Sequence, residues 1–570
     1  MSTNSTAKYE ISRSWWGFAI ILLVAAGFRF ALLGTYPLDD QQANIALQAL
    51  SVSRNESVRL SGEPGYIALT SVLFDLFGAS GFWARFWPAL LGTCAVLLPV
   101  LYRKWLGSST ALVLAALIAL DPVMIGVSRS AGGTMLALVG VMAALGFWLN
   151  RRPVLSGVLL GIALTGGSGF WPLGLITVGI IAMWRNLFTN RDDAGLNGAG
   201  SSKSVVIVLS VAAVSSLLLS TLFFSLPNGI SAIGSSVVEY FSGWGEFDSR
   251  LLAGNSLAWL IIELPLIALG IWGFVDGMLK KEQLARFMGV LWALTLVLTL
   301  LNPGTASSHF VWVALPMLIL AAKKLSKLVR LPNVENRLIF TVELILVLAL
   351  VIFSFLNSLN LVNNAYLTPE ETRNRIIGTF LPIILLAAMT VLFAWGWSYS
   401  STRSGFIAGI VVLLVVGLVS NAWKSAGLGS RPQFEFLFSR GFPLGEQPLL
   451  TTVKDISISR TGYADRIDIQ VIGLEHPSVF WVLRDFNEVI SASVPDPNSA
   501  PSLVLTNVET RIDLPASYRG QKILWSVNPD YAAMQPIDWI RWSLFRLTPA
   551  SNTELILWAK NDLFPGAQIP

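Results

Sequence analysis

The chain has 570 residues, of which 54% are hydrophobic and only 13% charged, and its mean hydropathy is +0.64. That is too apolar for a soluble globular protein of ordinary composition and reads as an α-helical polytopic membrane protein at the cell membrane. The net charge of +5 does not imply nucleic acid, because cytoplasmic loops of such proteins carry excess Lys and Arg, and no nucleic-acid partner is expected.

Polar residues 1–14 precede an apolar segment without a small-residue cleavage site, so that segment reads as a retained first span. Further apolar runs follow at 81–101, 110–127, 134–149, 154–165, 170–184, 205–226, 257–279, 287–301, 310–322, 338–359, 376–397 and 405–423. With 15–34 they predict about 13 transmembrane helices, some short of the roughly 20 residues a crossing needs. Placing the N-terminus in the cytoplasm puts Arg103-Lys104, Arg151-Arg152, Lys280-Lys281, Lys323-Lys324 with Lys327, and Arg403 all inside, as the positive-inside rule asks. The same parity puts the first loop, 121–133, 227–255, 302–309, 360–375 and everything after 423 outside.

The first external loop carries adjacent acids, Asp39 and Asp40, where the first span ends. Beyond them, 41–53 and 64–77 repeat apolar positions at spacings of three and four, which predicts two interfacial helices. Loop 192–204 is a Gly/Ser-rich linker. The single cysteine, Cys94, excludes an intramolecular disulfide and reads as a small core residue, and two histidines are too few for an ordinary Cys/His zinc site. After residue 423 the composition changes, with β-rich runs at 466–472, 489–494, 502–505 and 522–527 and an amphipathic stretch at 478–486. The division is a transmembrane domain, 1–423, and a small external α/β domain, 424–570.

Arg29 ahead of the first loop, Asp39-Asp40, Glu63-Pro64-Gly65-Tyr66, and the run from Leu76-Phe77-Gly78 to Arg85-Phe86-Trp87-Pro88 form a pattern. It resembles the first external loop of the GT-C superfamily, membrane glycosyltransferases such as protein O-mannosyltransferases and aminoarabinose transferases. The aromatic runs 480–486, 542–546 and 558–564 look like the C-terminal region of a flippase-activity-associated glycosylation branch of that superfamily, although core aromatics of a small domain explain them equally well.

The resemblance implies an inverting transfer of sugar from a polyprenyl-phosphate donor to a protein, lipid or glycan acceptor on the external face. Asp39 is then the catalytic base and Asp40 supports it; alternatively both simply cap an interfacial helix. Arg129, in Ser128-Arg129, is placed to hold the donor phosphate or to snorkel at the interface, and His309 to bind phosphate or to sit in the aromatic belt with Trp312. The resemblance leaves a divalent metal ion open as a cofactor, but the family's downstream acid is replaced here by Gly132-Gly133-Thr134, a departure that argues against metal binding and against activity itself. Glu63, Arg85 and Glu246 are cleft candidates, and Trp244, Asp248 and Arg250 share the loop of Glu246. Glu263 and Glu343 are acids inside apolar runs, functional by default, although Glu263 before Pro265 also suits a broken backbone. No P-loop, GxSxG or nucleotide fingerprint is present, in keeping with a lipid-linked donor. The rival readings are a non-catalytic scaffold or lipid-linked glycan handling protein on the same fold, and, less suited because no paired repeat is visible, a transporter.

Overall fold

The structure is a computed structural model and describes residues 3–172, 202–245, 249–302, 307–329, 335–363, 368–436, 441–494, 499–510 and 516–564. The long apolar runs are helical because only internal backbone pairing satisfies every N–H and C=O in hydrocarbon. Helix α1 (Thr3–Phe30) leads into the first loop, which holds α2 (Asp40–Ser53) and α3 (Pro64–Phe77) ahead of α4 (Gly81–Ala95). Next come α5 (Ser108–Leu120), α6 (Pro122–Ser128), α7 (Thr134–Leu149) and α8 (Pro153–Leu164). The chain continues with α9 (Ser202–Ser220), α10 (Gly229–Ser242), α11 (Ser249–Ile262), α12 (Leu264–Leu279) and α13 (Gln283–Leu300). Four more complete the helical part: α14 (Val311–Val329), α15 (Arg337–Asn363), α16 (Pro369–Gly396) and α17 (Tyr399–Trp423).

Among the described residues, five helices are long and apolar enough to cross a membrane, and two bent pairs raise the number to seven. The expectation of about thirteen crossings is not reached. The runs 110–127 and 257–279 look continuous in composition, but the chain bends by 59° between α5 and α6 and by 78° between α11 and α12. The breaks fall beside Pro122 and Pro265, whose rings remove a backbone donor and clash with the preceding turn. The apolar part of α1 (Trp15–Phe30), α3, α7 and α8 are apolar but shorter. Most of 170–184 and all of 192–200 lie outside the described residues. Cys94 corrects another expectation: it is exposed on α4 rather than buried, where a thiol is apolar enough to face lipid.

The first-loop helices form where expected but do not lie open. Helix α2 buries Ala43, Ala46, Ala49 and Leu50, and is sandwiched between α3 and α19 (Pro477–Leu483) of the C-terminal region, preceded there by α18 (Glu446–Thr461). The small side chains permit that close approach. Trp481 of α19 completes the layer, its ring 6.0 Å from that of Phe74 on α3.

The C-terminal sheet has order β2-β1-β3-β5-β4, with β1 (Ile469–Ile472) parallel to β2 (Val489–Ala492) and β3 (Leu503–Asn507). Strands β4 (Tyr518–Pro529) and β5 (Ala550–Lys560) are antiparallel, and β5 lies between β3 and β4. Helix α18 packs Leu449 and Val453 onto the sheet beside Val471, Leu505, Trp525 and Leu557. A last helix, α20 (Pro536–Phe545), reaches back to the membrane helices, where Arg541 Nε donates to the Val362 carbonyl at 3.4 Å. Far from this region, Lys323, Lys324 and Lys327 pair with Asp276 and Glu282 at 2.6–3.7 Å, which partly neutralises that basic cluster.

Candidate functional site

Three buried arginines bind backbone carbonyls at helix ends, Arg29 at the end of α5 and Arg85 and Arg129 in the turn after α1. Arg29 donates to the Ile118 and Ala119 carbonyls at 3.0 and 3.3 Å, at the end of α5. Arg129 returns the arrangement, its Nη1 donating to the Phe28, Arg29 and Ala31 carbonyls at 2.8–3.0 Å and its Nη2 to Leu32. Arg85 donates to the Tyr36 and Pro37 carbonyls, both at 2.7 Å. A cation at the carbonyl end of a helix also meets the favourable end of its dipole. Burial, and then the neighbouring Arg85, lower the pKa of Arg129 to about 10, so it remains cationic at neutral pH.

Asp39 is the N-cap of α2: Oδ1 accepts from the Gln42 backbone N–H at 2.8 Å and Oδ2 from Gln42 Nε2 at 2.7 Å. The other end of the same amide, Gln42 Oε1, accepts from Arg85 Nε at 3.0 Å and from the Ala131 N–H at 3.2 Å. One glutamine thus joins the acid, the arginine of α4 and the segment just beyond Arg129. Arg85 and Arg129 line one narrow cleft of about 20 Å³, room for a single water, with Tyr36, Ser130, Ser425 and Glu435, between apolar walls that include Leu33, Ile262 and Phe436. Tyr36 closes one side by donating its hydroxyl to the Gly427 carbonyl. Asp39 is buried behind Arg85 and is not among the lining residues.

Asp40 points elsewhere, into the C-terminal region. Its Oδ2 lies 2.8 Å from His476 Nδ1, and its Oδ1 accepts from the Ser478 N–H at 3.1 Å and from the Ser478 hydroxyl. Glu63 is buried, and its Oε2 accepts from the Gly133 N–H at 2.8 Å. A Cβ on Gly132 would lie 3.4 Å from the same oxygen, so a carboxyl from the first loop occupies the space beside the two glycines. Burial, and then the charge of Glu239, push the Glu63 pKa up to about 8.

The remaining candidates are dispersed. His309 is buried next to Phe310, whose ring meets Phe436 of the cleft at 5.7 Å, but His309 itself does not line the cleft. Its ring faces Tyr240 at 6.4 Å. Glu246 and Asp248 lie outside the described residues, as does the side chain of Arg250, while Trp244 packs on Phe241 at 5.7 Å. Glu263 Oε1 accepts from the Val123 N–H at 3.2 Å, serving the start of broken helix α6 rather than its own break. Glu343 accepts from the Thr390 hydroxyl at 2.6 Å, between α15 and α16. Gln42 and His476 were not singled out by sequence: neutral Gln carries no chemical signature, and His476 lies 436 residues from its partner. Among the described residues no three His, Cys, Asp or Glu side chains converge to hold a metal ion.

Residues 54–233 match the family described as dolichyl-phosphate-mannose-protein mannosyltransferase. The fold is similar to that of ArnT from Cupriavidus metallidurans bound to undecaprenyl phosphate, with a TM-score of 0.53 and 14% identity, over 96% of this chain and 99% of that one. Apo ArnT gives 0.53 and 13% over 98% and 100%. The archaeal oligosaccharyltransferase AglB from Archaeoglobus fulgidus, in complex with an inhibitory peptide and a dolichol-phosphate, gives 0.50 and 12% over 88% and 70%. No curated protein matches by sequence. At these identities the likeness is one of fold.

Proposed function

This chain is a multi-pass membrane protein with the GT-C fold of membrane glycosyltransferases, and from that premise we propose that it moves a sugar from a polyprenyl-phosphate donor to an acceptor hydroxyl. The transfer takes place at the external membrane face, with inversion, the N-terminus being cytoplasmic and the region after residue 423 external. Once Arg85 moves aside and opens the cleft to Asp39, the acceptor O–H gives its proton to that carboxylate as its oxygen bonds to the anomeric carbon. The bond from that carbon to the phosphate oxygen breaks, and the electron pair leaves with the polyprenyl phosphate. Arg85 and Arg129 neutralise that leaving group.

The observation that carries this reading is the shared amide of Gln42, which ties Asp39 to Arg85 beside a cleft that also contains Arg129. Asp40 acts at a distance, docking the C-terminal region onto α2 through His476 and Ser478. His309 supports the cleft through Phe310, and Glu63 stands in for the acid absent at 132–134.

Asp39 also serves fully as a helix cap, which favours a second reading: a non-catalytic scaffold or a handler of lipid-linked glycans. The variant Asp39→Asn separates the two, because Asn caps a helix about as well as Asp but cannot take a proton. With the full chain in membranes supplied with polyprenyl-phosphate sugar, loss of glycan product by about 100-fold or more at unchanged thermal stability is expected for a base. Product at the wild-type level, or none from either protein with any lipid-linked sugar, removes the catalytic reading.

A further inference from the structure

Helix α20 lies against the ends of α15 and α17, and between them opens a cavity of about 570 Å³. Three cations line it, Lys424, Arg431 and Arg546, against one carboxylate, Glu435. Arg546 Nε meets Glu435 Oε1 at 2.9 Å, with both side chains buried. The contact is one-pronged: Arg546 Nη2 and Glu435 Oε2 are buried without a partner. Lys424 donates to the Ser543 and Leu544 carbonyls at 3.0 and 3.3 Å and so caps α20. The Arg431 side chain has no hydrogen bond or ion pair among the described residues.

The opposite wall is hydrocarbon, with Val416 and Val419 from the last turns of α17 and Leu544 from α20. Trp423 stands at the helix end between the two, where an aromatic ring marks the headgroup level of a bilayer. Two partly exposed cations beside a buried arginine with an unpartnered guanidinium nitrogen call for an anion that accepts several hydrogen bonds. The free Glu435 oxygen calls for a donor next to that anion. The wall calls for an alkyl chain.

We infer that this cavity is a phospholipid site, which holds a phosphodiester head group bearing a hydroxyl or ammonium, with its acyl chain along α17. The phosphate lies on Arg431, Lys424 and Arg546, and the head-group donor on Glu435. Because Glu435 lines both this cavity and the cleft of Arg85 and Arg129, the Glu435–Arg546 pair divides the two. The inference does not rest on glycosyl transfer, and its test reads binding alone.

Native mass spectrometry of the full chain in detergent supplies that test, with phosphatidylglycerol, phosphatidylethanolamine, diacylglycerol and a polyprenyl phosphate as probes. Arg431→Gln removes a side chain without a partner among the described residues and so is expected to fold; Val416→Trp fills the hydrocarbon wall with no change of charge. Arg403→Gln, at the other end of α17, is the control. Expected is one bound phospholipid whose affinity falls about tenfold or more in both cavity variants but not in the control. Binding equal to the control in Arg431→Gln and Val416→Trp overturns the inference. So does diacylglycerol binding as tightly, which makes the site one for hydrocarbon only, or preference for the polyprenyl phosphate, which merges the cavity with the neighbouring cleft.

Discussion

Asp40 Oδ2 and His476 Nδ1 lie 2.8 Å apart across 436 residues, and this contact fastens the first loop to the helix that follows β1. The adjacent acids of the loop therefore divide their work: Asp39 turns inward toward Arg85 and Asp40 outward toward the C-terminal region.

The latch is sensitive to pH in a direction its groups define. The hydrogen bond from Asp40 holds the His476 pKa above its usual 6.5. Burial raises the pKa of Asp40, but the bonds from His476 and Ser478 outweigh it and keep the pKa below the usual 3.8. A histidine with a raised folded pKa stabilises fully below its unfolded value and loses that contribution as pH rises through the folded one. An aspartate with a lowered pKa contributes above its unfolded value and loses the contribution as pH falls through the folded one. The latch is thus tightest between 3.8 and 6.5 and loosens above, by no more than about 1 kcal/mol because water screens a half-exposed pair. Proteolysis of the C-terminal region as a function of pH should show protection falling more steeply above 6.5 in the wild type than in His476→Gln; equal profiles remove the latch.

Much of this architecture was legible in the sequence because it rests on periodicity. The helices of the first loop, strand β1 and strand β3 stand close to where composition places them. Strand β5 was not legible, since Ser551, Asn552, Thr553 and Glu554 read as a loop until β4 pairs beside them. The arginines were legible as candidates but not in their partners. A snorkelling residue and one that caps a helix ninety residues away share the same sequence context, and only the chain path shows that Arg29 caps α5 while Arg129 caps α1. Likewise the glycines at 166–169 reflect a close backbone crossing: a Cβ on Gly166 would lie 2.7 Å from the Gly133 carbonyl oxygen.

Gln42 makes the strongest claim for a residue the sequence did not mark. Replacing it with Ala removes the amide's bonds to Asp39 Oδ2, Arg85 Nε and the Ala131 N–H, and a buried hydrogen-bonding group deprived of such a bond costs about 1–3 kcal/mol. Gln42→Glu keeps an acceptor for Arg85 and Ala131 but sets a second carboxylate against Asp39. Thermal unfolding in detergent should therefore rank wild type above both variants, with Gln42→Glu recovering at acidic pH, where its carboxyl is neutral, and Gln42→Ala not recovering. An unchanged melting temperature in Gln42→Ala would show that the amide is not the joint between the acid and the arginine.

Glu63 offers the clearest titration. Its pKa, moved from 4.5 to about 8 chiefly by burial and then by Glu239, means that the folded protein holds a proton which the unfolded chain has released across that whole range. Stability must then fall as pH rises from 4.5 to about 8, the reverse of an aspartate held in an ion pair. Glu63→Gln is the neutral isostere: its side-chain oxygen still accepts from the Gly133 N–H, and no proton is lost. Unfolding midpoints measured between pH 5 and pH 9 should decline more steeply in the wild type than in Glu63→Gln, so that the variant is the more stable protein at the alkaline end. Glu63→Ala should be worse than either at every pH, by about 1–3 kcal/mol, because it leaves the Gly133 N–H unpaired. Parallel slopes in wild type and Glu63→Gln would show that this carboxyl is ionised in the fold and that the proton belongs elsewhere.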